Sequence, residues 1–380
     1  MADTPQITGL SELRRQIDEV DSQLLELLNR RSRLSLAVGE AKAHIPGAKV
    51  FDPAREAQLL ESLVARNPGP LTGGHIVSIW REIISASRAL QKPCTVAYLG
   101  PEGTFSFFAG VDYLGKAMTF LPCRDFDEVF RKVCTGECDM GVVPLENSIH
   151  GTIAQSFDLF SQYPVRIQAE FYSRIANSLL SREKSLEDVS VVYSHPQPLG
   201  QCSLWLRDHL PHARLVSVES TAAAANLAAS TPNAAAIGHH SLSEKLELND
   251  LADNIENESA NWTRFVLITP GDREVSSPAA KERKDIKSSL LFTLSDKVGA
   301  LSAVTGLFTR HNVNMTKLES RPLRGACWKY MFFTDVECDL SDPGWAAMLQ
   351  ELGEQCASVR VLGCYPEGPF LDSSTNTTGF

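Results

Sequence analysis

An arginine interrupts the apolar seam of a helix predicted for residues 10–43. Apolar side chains recur there in alternating steps of three and four, at Leu10, Leu13, Ile17, Val20, Leu24, Leu27, Leu34, Val38 and Ala41. Arg31 occupies the one slot in this series where another aliphatic residue is expected. Taken alone, such an arginine is most simply explained by pairing with a glutamate. The alternative, a guanidinium that binds a ligand, gains weight from the polar residues that follow.

Further polar residues lie in the rest of this helix and at the start of the next one. Lys42 lies eleven residues after Arg31, about three helical turns, and therefore shares its face. Asp52 is a plausible N-cap of the second helix, which is a sufficient structural role for it, and Arg55 and Glu56 lie in that helix's first turn.

The apolar stripe of a third predicted helix ends with two polar residues, Ser87 and Gln91. Buried polar groups are costly unless they are satisfied, so polar residues on three facing stripes predict one shared pocket inside a helical bundle. The cations outnumber the acids, which favours a small ligand with more than one carboxylate, because arginine pairs with carboxylates in a bidentate way.

The central region contains stretches in which small polar residues follow a predicted strand and precede a helix. They are "GPEGTFS" (100–106), "VPLENSIHGT" (143–152), "SHPQPLGQC" (194–202) and "ESTAAAA" (219–225), and "NWTRF" (261–265) follows them. Each of the first four can be an N-cap and turn, and "GPEGTFS" lacks the spacing of a phosphate loop. Together they predict an anion site, because anions bind where strands end and helices begin in an open α/β sheet.

The elements that position these residues divide the chain into three domains. The pattern is helical up to Gln91, mixed α/β over 94–270, and strand–helix–strand–strand–helix–strand over 287–366. A polar linker is predicted at 271–286 and a disordered tail at 367–380. The first helix, about 50 Å long, carries its apolar stripe over four heptads and needs a partner, which predicts a homodimer or a larger assembly built on it.

Composition excludes several classes of function. A net charge of −10 on 380 residues, without a run of Lys or Arg, argues against binding nucleic acid. No signal peptide and no apolar run of about 20 residues is visible, so neither a secretory route nor a membrane span is expected. Nine scattered cysteines favour a reducing cytoplasm. A metal site at Cys134 and Cys138, or at the adjacent His239 and His240, is the weaker interpretation.

Residues 8–92 resemble the all-helical chorismate mutase family, whose reaction is a unimolecular rearrangement of chorismate to prephenate. The resemblance implies a substrate-binding set of Arg14, Arg31, Lys42, Asp52, Arg55, Glu56, Ser87 and Gln91. Among these, Arg31, Lys42 and Gln91 are the implied catalytic residues. Arg14 lies about 25 Å along the same helix from Arg31, so we expect it to reach the site only from a partner chain.

Residues 94–270 resemble the prephenate dehydratase family, through "SHPQP", "ENS" and "TRF". The resemblance implies an α/β fold of two lobes like a periplasmic binding protein, with prephenate in the cleft. Thr263 would donate a proton to the departing hydroxyl group or polarise it. Further substrate-binding candidates are Thr104, Glu146, Asn147, Ser148, Ser194, Gln201, Thr221 and Arg264. The chain departs from the family at Phe107, where relatives often have His, and over 239–248.

Residues 287–366 resemble ACT regulatory domains, which have a ferredoxin-like βαββαβ fold. The motifs are "GALS" (299–302) and "ESRP" (319–322), as in phenylalanine-binding members. The implied phenylalanine site comprises Gly299, Ala300, Leu301, Asn314, Glu319 and Ser320. The alternative is that the two motifs are only a tight helix start and a strand end.

The order of the three resemblances predicts a bifunctional enzyme that makes prephenate and converts it to phenylpyruvate, needs no metal or cofactor, and is inhibited by phenylalanine. A dehydratase that prefers arogenate is one alternative. A phenylalanine-sensing binding protein without turnover is another, and the complete mutase set and Thr263 argue against it.

Overall fold

The computed structural model describes residues 9–44, 51–271, 283, 285–295, 297–323 and 329–372. Among these residues, no helix is both long and apolar enough to cross a membrane. The predicted linker, 271–286, lies mostly outside the described residues.

The N-terminal region is three helices, α1 (Leu10–Ala43), α2 (Pro53–Arg66) and α3 (Gly73–Gln91). Asp52 caps α2, because its side chain accepts a hydrogen bond from the Arg55 backbone N–H at 3.1 Å. Thr72 caps α3 in the same way, through His75 N–H at 3.3 Å. No residue of α1 is buried, and the apolar side chains of its first half remain exposed to solvent among the described residues.

The first lobe of the central domain is a mixed sheet with helices on its faces. Its elements are β1 (Thr95–Leu99), α4 (Phe105–Leu114), β2 (Thr119–Cys123), α5 (Phe126–Cys134), β3 (Met140–Asn147), β4 (Gly151–Thr152), α6 (Ala154–Gln162), β5 (Val165–Arg174), β11 (Trp262–Pro270) and β16 (Phe370–Leu371). The strand order is β16-β5-β11-β3-β1-β2, with β4 beside β3. Phe107 packs in this lobe against Tyr98 and Phe120, at ring-centroid distances of 5.4 and 5.6 Å, so the residue that departs from the family pattern belongs to the core.

The second lobe is a five-stranded sheet inserted between β5 and β11. Its elements are β6 (Ser178–Ser181), β7 (Val191–Ser194), α7 (Pro196–Gln201), α8 (Ser203–His209), β8 (Arg214–Ser217), α9 (Thr221–Ser230), β9 (Ala234–Gly238), α10 (Ser241–Leu246) and β10 (Asn249–Ala252), and the strand order is β10-β6-β9-β7-β8. The two lobes touch at Gly103, where φ is +94° and an added Cβ would lie 2.7 Å from Leu242 Cδ2. The positive φ favours glycine here, and any other residue would also require the Leu242 side chain to move.

His239 lies at the same lobe contact and is 4% exposed. Its ring stacks on Phe108 of the first lobe with centroids 4.2 Å apart, and the variant segment 239–248 continues into α10. Burial, together with the neighbouring His240, lowers the pKa of His239 from 6.5 to about 3.

We predict that His239 makes the fold sensitive to acid. The folded state holds a neutral ring, so this stabilisation is complete above pH 6.5 and is lost as the pH falls from 6.5 towards 3. At pH 5 the loss is about 2 kcal/mol of unfolding free energy. Calorimetry at pH 7 and pH 5 should show a smaller decrease in Tm for His239→Phe than for the unmodified chain. The exposed control His209→Phe should keep the full decrease, and an equal decrease in both variants would contradict the prediction.

The C-terminal domain consists of β12 (Ile286–Leu294), α11 (Ala300–Arg310), β13 (Met315–Pro322), β14 (Tyr330–Val336), α12 (Ala346–Gln355) and β15 (Cys356–Pro366). The sheet order β13-β14-β12-β15 confirms the predicted βαββαβ fold. Leu290 and Phe292 face the helices, whereas Leu291 and Phe333 pack into the core of the first lobe. The sheet therefore has one face on its own helices and the other on the first lobe of the central domain.

The end of the chain corrects one prediction. Residues 370–371 form β16, which pairs in parallel with β5, and Phe370 stacks on Tyr172 with ring centroids 4.5 Å apart. The predicted disorder of 367–380 is therefore wrong for 367–372, because an aromatic contact and a strand pairing hold that segment. Residues 373–380 lie outside the described residues.

Candidate active and regulatory sites

Arg31 turns toward α3, and no glutamate of the described residues lies within hydrogen-bonding distance of its guanidinium. Its Nη1 donates a short hydrogen bond to Ser87 Oγ and lies 3.5 Å from the carbonyl oxygen of Ile83. The Ser87 hydroxyl in turn donates to that carbonyl at 2.8 Å. The structure thus joins two of the residues that sequence spacing predicted for one pocket.

Gln91 lies next to them because α1 and α3 approach closely at Gly39. A Cβ at Gly39 would lie 3.1 Å from Gln91 Cγ and 3.2 Å from its Cα, so a larger side chain would separate the helices. The Oε1 atom of Gln91 is buried and has no hydrogen-bond partner among the described residues. An unsatisfied buried acceptor of this kind is costly and suits a ligand or a cationic side chain.

Glu56 of α2 interacts electrostatically with Arg31 and Lys42 of α1 and with Arg81 and Arg88 of α3. Burial raises its pKa, while Arg88 and Lys42 act in the opposite direction. Arg88 Nη1 lies 3.5 Å from Glu56 Oε1, and Arg88 is 3% exposed. Sequence analysis missed Arg88. Its seven-residue spacing from Arg81 could have indicated Arg88, because this spacing places both guanidinium groups on the α3 face that borders Glu56.

Three further members of the predicted mutase set lie outside the Arg31–Ser87 contact: one is an N-cap and two are exposed. Asp52 acts as the N-cap of α2. Arg55 is exposed and donates to Gln58 Oε1 at 2.9 Å. Arg14 is exposed near the far end of α1.

In the dehydratase domain, Thr263 and Asn147 lie opposite each other on the paired strands β11 and β3. Asn147 Nδ2 is 3.0 Å from Thr263 Oγ1 and 2.7 Å from Asn261 Oδ1. Thr263 is 6% exposed and Asn147 is also 6% exposed. Two residues predicted from separate motifs therefore form one buried polar cluster, to which Asn261 belongs as well.

The orientation of the Asn147 amide is fixed by backbone groups. Its Oδ1 accepts hydrogen bonds from the N–H groups of Ile149 and His150 at 3.1 and 2.9 Å, and only the oxygen of an amide can accept them. Nδ2 must therefore face Thr263, which accepts. The described residues offer no acceptor for the Thr263 hydroxyl hydrogen, which leaves it available to a substrate.

A pocket of about 350 Å³ lies between the lobes beside this cluster. Lobe one contributes His150 and Asn261, and lobe two contributes Gln201, as predicted from "SHPQPLGQC", with Gln197 and Glu256. His150 and Asn261 were not predicted; their signal was that each adjoins or lies within a quoted motif, "ENS" and "NWTRF".

Four other candidates have structural partners or little exposed surface. Ser148 Oγ donates to Ala260 O at 2.9 Å and accepts from Trp262 N–H. Thr104 Oγ1 donates to Leu99 O at 3.0 Å. Ser194 Oγ donates to Ile237 O at 2.8 Å and is 0% exposed, and Thr221 begins α9 at 5% exposure. Ser194 Oγ thus has its hydrogen-bond partner within the second lobe.

Glu146 and Arg264 lie on the opposite face of the sheet from Asn147 and Thr263. Adjacent residues of a strand point to opposite faces, and Glu146 and Arg264 are themselves paired across β3 and β11. Both line a polar cavity of about 490 Å³ against the C-terminal domain. The structure therefore places these two predicted residues apart from the Asn147–Thr263 cluster.

Arg264 is 5% exposed and its charge is balanced inside that interface. Its guanidinium lies 2.7 Å from Glu170 and 2.6 Å from Asp335 of β14. Burial alone would lower the pKa of Arg264, but Asp335 and Glu170 outweigh it and raise the pKa well above its ordinary value. Arg264 thus joins the dehydratase sheet to the C-terminal domain.

The predicted phenylalanine residues divide between the two faces of the C-terminal sheet. Gly299 takes a left-handed φ of +80° and starts α11 at Ala300, with Leu301 following, and Ser320 lies opposite Phe332 on the helix face. Glu319 lies opposite Phe333 on the other face, and its Oε2 accepts from Thr152 Oγ1 of the dehydratase domain at 2.8 Å. Glu319 is thus separated from Ser320 and faces the neighbouring domain.

Asn314, the remaining member of the predicted regulatory set, precedes β13. Its Nδ2 donates to Glu337 Oε2 at 2.9 Å. It therefore has a partner within the same domain.

The helical pocket, the interlobe pocket and the C-terminal domain define an enzyme with two separate sites and a regulatory module. Family models match in the same order: Chorismate mutase type II at 13–92, Prephenate dehydratase at 96–273 and ACT domain at 288–344. A bifunctional chorismate mutase/prephenate dehydratase of Aquifex aeolicus (strain VF5) is 37% identical over 364 residues, covering 94% of this chain and 98% of that protein. The chain belongs to the family of bifunctional chorismate mutase/prephenate dehydratases, and its two activities are those of the family name.

Solved structures resemble the dehydratase and ACT part. Prephenate dehydratase from Arthrobacter aurescens, in complex with L-Phe, has a TM-score of 0.64 at 30% identity, covering 72% of this chain and 90% of that one. GqqA, described as a novel type of quorum-quenching acylase, has a TM-score of 0.64 at 27% identity and covers 72% and 98% of the two chains. Proteins with a different stated activity share this fold, so the activity assignment comes from the family matches.

Proposed function

We propose that the pocket of α1–α3 rearranges chorismate to prephenate and that the interlobe pocket converts prephenate to phenylpyruvate, in the cytoplasm. The observation that carries this proposal is the Asn147–Thr263 pair, which orients a hydroxyl group in a domain separate from Arg31. The described cysteines form no disulfide with one another, which fits a reducing compartment.

In the mutase site, Arg31 and Lys42 supply the positive charge that a dianionic substrate requires. The rearrangement is unimolecular and needs no proton transfer, so the site acts by holding a reactive conformer and by stabilising charge that develops in the transition state. The described part of α1–α3 gives Arg31 the Ser87 hydroxyl as its partner, and Gln91 lies beside it. Bound substrate would exchange the Arg31–Ser87 contact for a carboxylate.

The site is completed by Arg14 of a second chain, in a dimer built on α1. The first half of α1 supports this, because Leu13, Ile17, Val20 and Leu24 are 45–59% exposed in a single chain. Burying apolar surface contributes roughly 25 cal/mol per Å², and an antiparallel partner helix would cover this stripe and bring its own Arg14 to Arg31.

Mixing two inactive variants tests this arrangement. Arg14→Ala and Arg31→Ala chains should each lack mutase activity alone, since each homodimer lacks one arginine at both sites. A mixed dimer has one complete site, so random subunit exchange should restore about one quarter of the unmodified activity. Subunit exchange is confirmed with differently tagged chains. Exchange without any recovered activity would show that both arginines act within one chain.

In the dehydratase site, Thr263 protonates or polarises the departing ring hydroxyl. Loss of CO2 leaves an electron pair that forms the new ring double bond as the hydroxyl departs with a proton as water. Aromatisation supplies the driving force, so a weak acid suffices at the leaving group. Because Asn147 donates to Thr263 Oγ1, the threonine proton is the one directed at the substrate.

Phenylalanine acts on this enzyme through the C-terminal domain, as an inhibitor. The N–H groups at the start of α11 suit its carboxylate, and Ser320 lies on the same face of the sheet. The L-Phe bound to the Arthrobacter dehydratase supports the same ligand here. On the opposite face of β13, Lys317 contacts Glu146 at 2.9 Å and Glu319 contacts Thr152, next to the segment that carries Asn147.

The proposed function is tested by giving the purified enzyme chorismate and measuring prephenate and phenylpyruvate by chromatography, with and without phenylalanine. We expect phenylpyruvate to form and to decrease when phenylalanine is added. Prephenate that accumulates without phenylpyruvate would contradict the proposed dehydratase reaction. Values of kcat/KM for prephenate and arogenate, measured side by side, decide the preferred substrate.

A further inference from the structure

We propose that Asn261 is a substrate-binding and positioning residue of the dehydratase site. Its Nδ2 would donate to an oxygen atom of the substrate, while its Oδ1 holds Asn147 in place beside Thr263. The inference deepens the proposed dehydratase function and depends on it. Asn261 lies in the segment that crosses from the second lobe back to the first, immediately before β11.

The two ends of the Asn261 side chain have different environments. Oδ1 accepts a hydrogen bond from Asn147 Nδ2 at 2.7 Å. Nδ2 has no hydrogen-bond partner in the described part of the chain, although Asn261 is 0% exposed. Leaving a buried donor unsatisfied is costly, so the Nδ2 group of Asn261 is suited to donate a hydrogen bond to a bound ligand.

The orientation of Asn261 follows from backbone groups, in two steps. The N–H groups of Ile149 and His150 fix Asn147 Oδ1, which turns Asn147 Nδ2 towards Asn261. Asn261 must then present its oxygen to Asn147, and its nitrogen remains as the unpaired atom. The unpaired group is therefore a donor, which selects an acceptor on the ligand.

The Nδ2 donor of Asn261 lies at the pocket between the lobes, where a substrate with acceptor oxygens would bind. Asn261 lines the 350 Å³ pocket between the lobes, with Gln201 on the facing wall. Prephenate carries two carboxylates and a keto group, and the oxygen atoms of all three groups are hydrogen-bond acceptors. Asn147 has two amide hydrogens and three acceptors in range, Asn261 Oδ1, Thr263 Oγ1 and Trp262 O at 2.7, 3.0 and 3.2 Å. Asn261 takes one hydrogen and thereby limits how Asn147 can turn.

The variant Asn261→Asp separates the two roles. It keeps an oxygen for Asn147 but replaces the donor with a second oxygen, which donates only when the carboxyl group is protonated. We expect a KM for prephenate at pH 8 more than tenfold above that of the unmodified enzyme. We also expect kcat/KM of this variant to rise as the pH falls through the titration of the new carboxyl group, a pH profile that the unmodified enzyme lacks.

Binding without turnover provides a second measurement. In a Thr263→Ala background, Asn261→Asp should weaken the calorimetric Kd for prephenate at pH 8 by more than tenfold. The control is Asn226→Asp, because the Asn226 side chain donates to Ala222 O within its own helix. This variant should leave KM and the pH profile unchanged. No phenylpyruvate from the unmodified enzyme would reject the proposed function. Turnover by that enzyme together with an unchanged KM and pH profile in Asn261→Asp would reject the role of Asn261 alone.

Discussion

Arg31→Ala should reduce kcat/KM of the mutase reaction by about 10²–10³-fold. The Arg31 guanidinium donates a hydrogen bond to the side chain of another member of the mutase set, Ser87 Oγ. Arg31 therefore lies where its guanidinium can bind a carboxylate of the substrate. Dehydratase activity on supplied prephenate should be unchanged, because Thr263 and its partners belong to a different domain.

Two control variants make this result specific. Arg33→Ala removes an exposed guanidinium from the same helix and should leave both activities near those of the unmodified enzyme. Arg31→Lys keeps the charge but loses the planar arrangement of donors, so we expect partial mutase activity. Circular dichroism should show an unchanged helix content in all three variants. Equal loss of both activities by a folded Arg31→Ala enzyme would refute separate sites.

Thr263→Ala should give the opposite result, a decrease of about 10²–10⁴-fold in kcat for prephenate with unchanged mutase activity. The hydroxyl of Thr263 accepts a hydrogen bond from Asn147, and its own hydrogen is directed elsewhere. Its removal eliminates the proton donor while the β11 backbone stays in the sheet. Stopped-flow or steady-state formation of phenylpyruvate measures the effect.

A conservative and a distant variant complete this test. Thr263→Ser keeps the hydroxyl and should retain most of the rate, with a modest loss because serine is less restricted at χ1. Thr269→Ala changes another buried threonine on the same strand, 3% exposed, and controls for general weakening of β11. A dehydratase rate in Thr263→Ala that matches the unmodified enzyme would remove this hydroxyl from the mechanism.

Much of the mutase pocket could be predicted from spacing. A helix has a fixed rise and period, so the positions of Arg31, Ser87 and Gln91 on their stripes already determine which side chains face a neighbouring helix. The close approach at Gly39 and the part played by Arg88 could not be predicted in this way. Both depend on how α3 lies against α1 and against the dehydratase domain.

For residues on β-strands, the sequence could not predict which face of the sheet borders the cleft. Glu146 and Asn147, Thr263 and Arg264, and Glu319 and Ser320 are adjacent pairs in which the two members point to opposite faces of a sheet. A motif identifies the pair, but only packing decides which face borders the cleft and which borders another domain.

The sequence by itself determined the three domains, their order and their chemistry, because periodicity and local motifs are properties of short segments. It also determined that a guanidinium and a threonine hydroxyl would be central to the two sites. The tertiary structure decided that Arg264 balances Glu170 and Asp335 across a domain interface and that Asn261 holds Asn147 beside Thr263. These contacts join residues 71–114 positions apart, and their energy depends on burial, which no local pattern specifies.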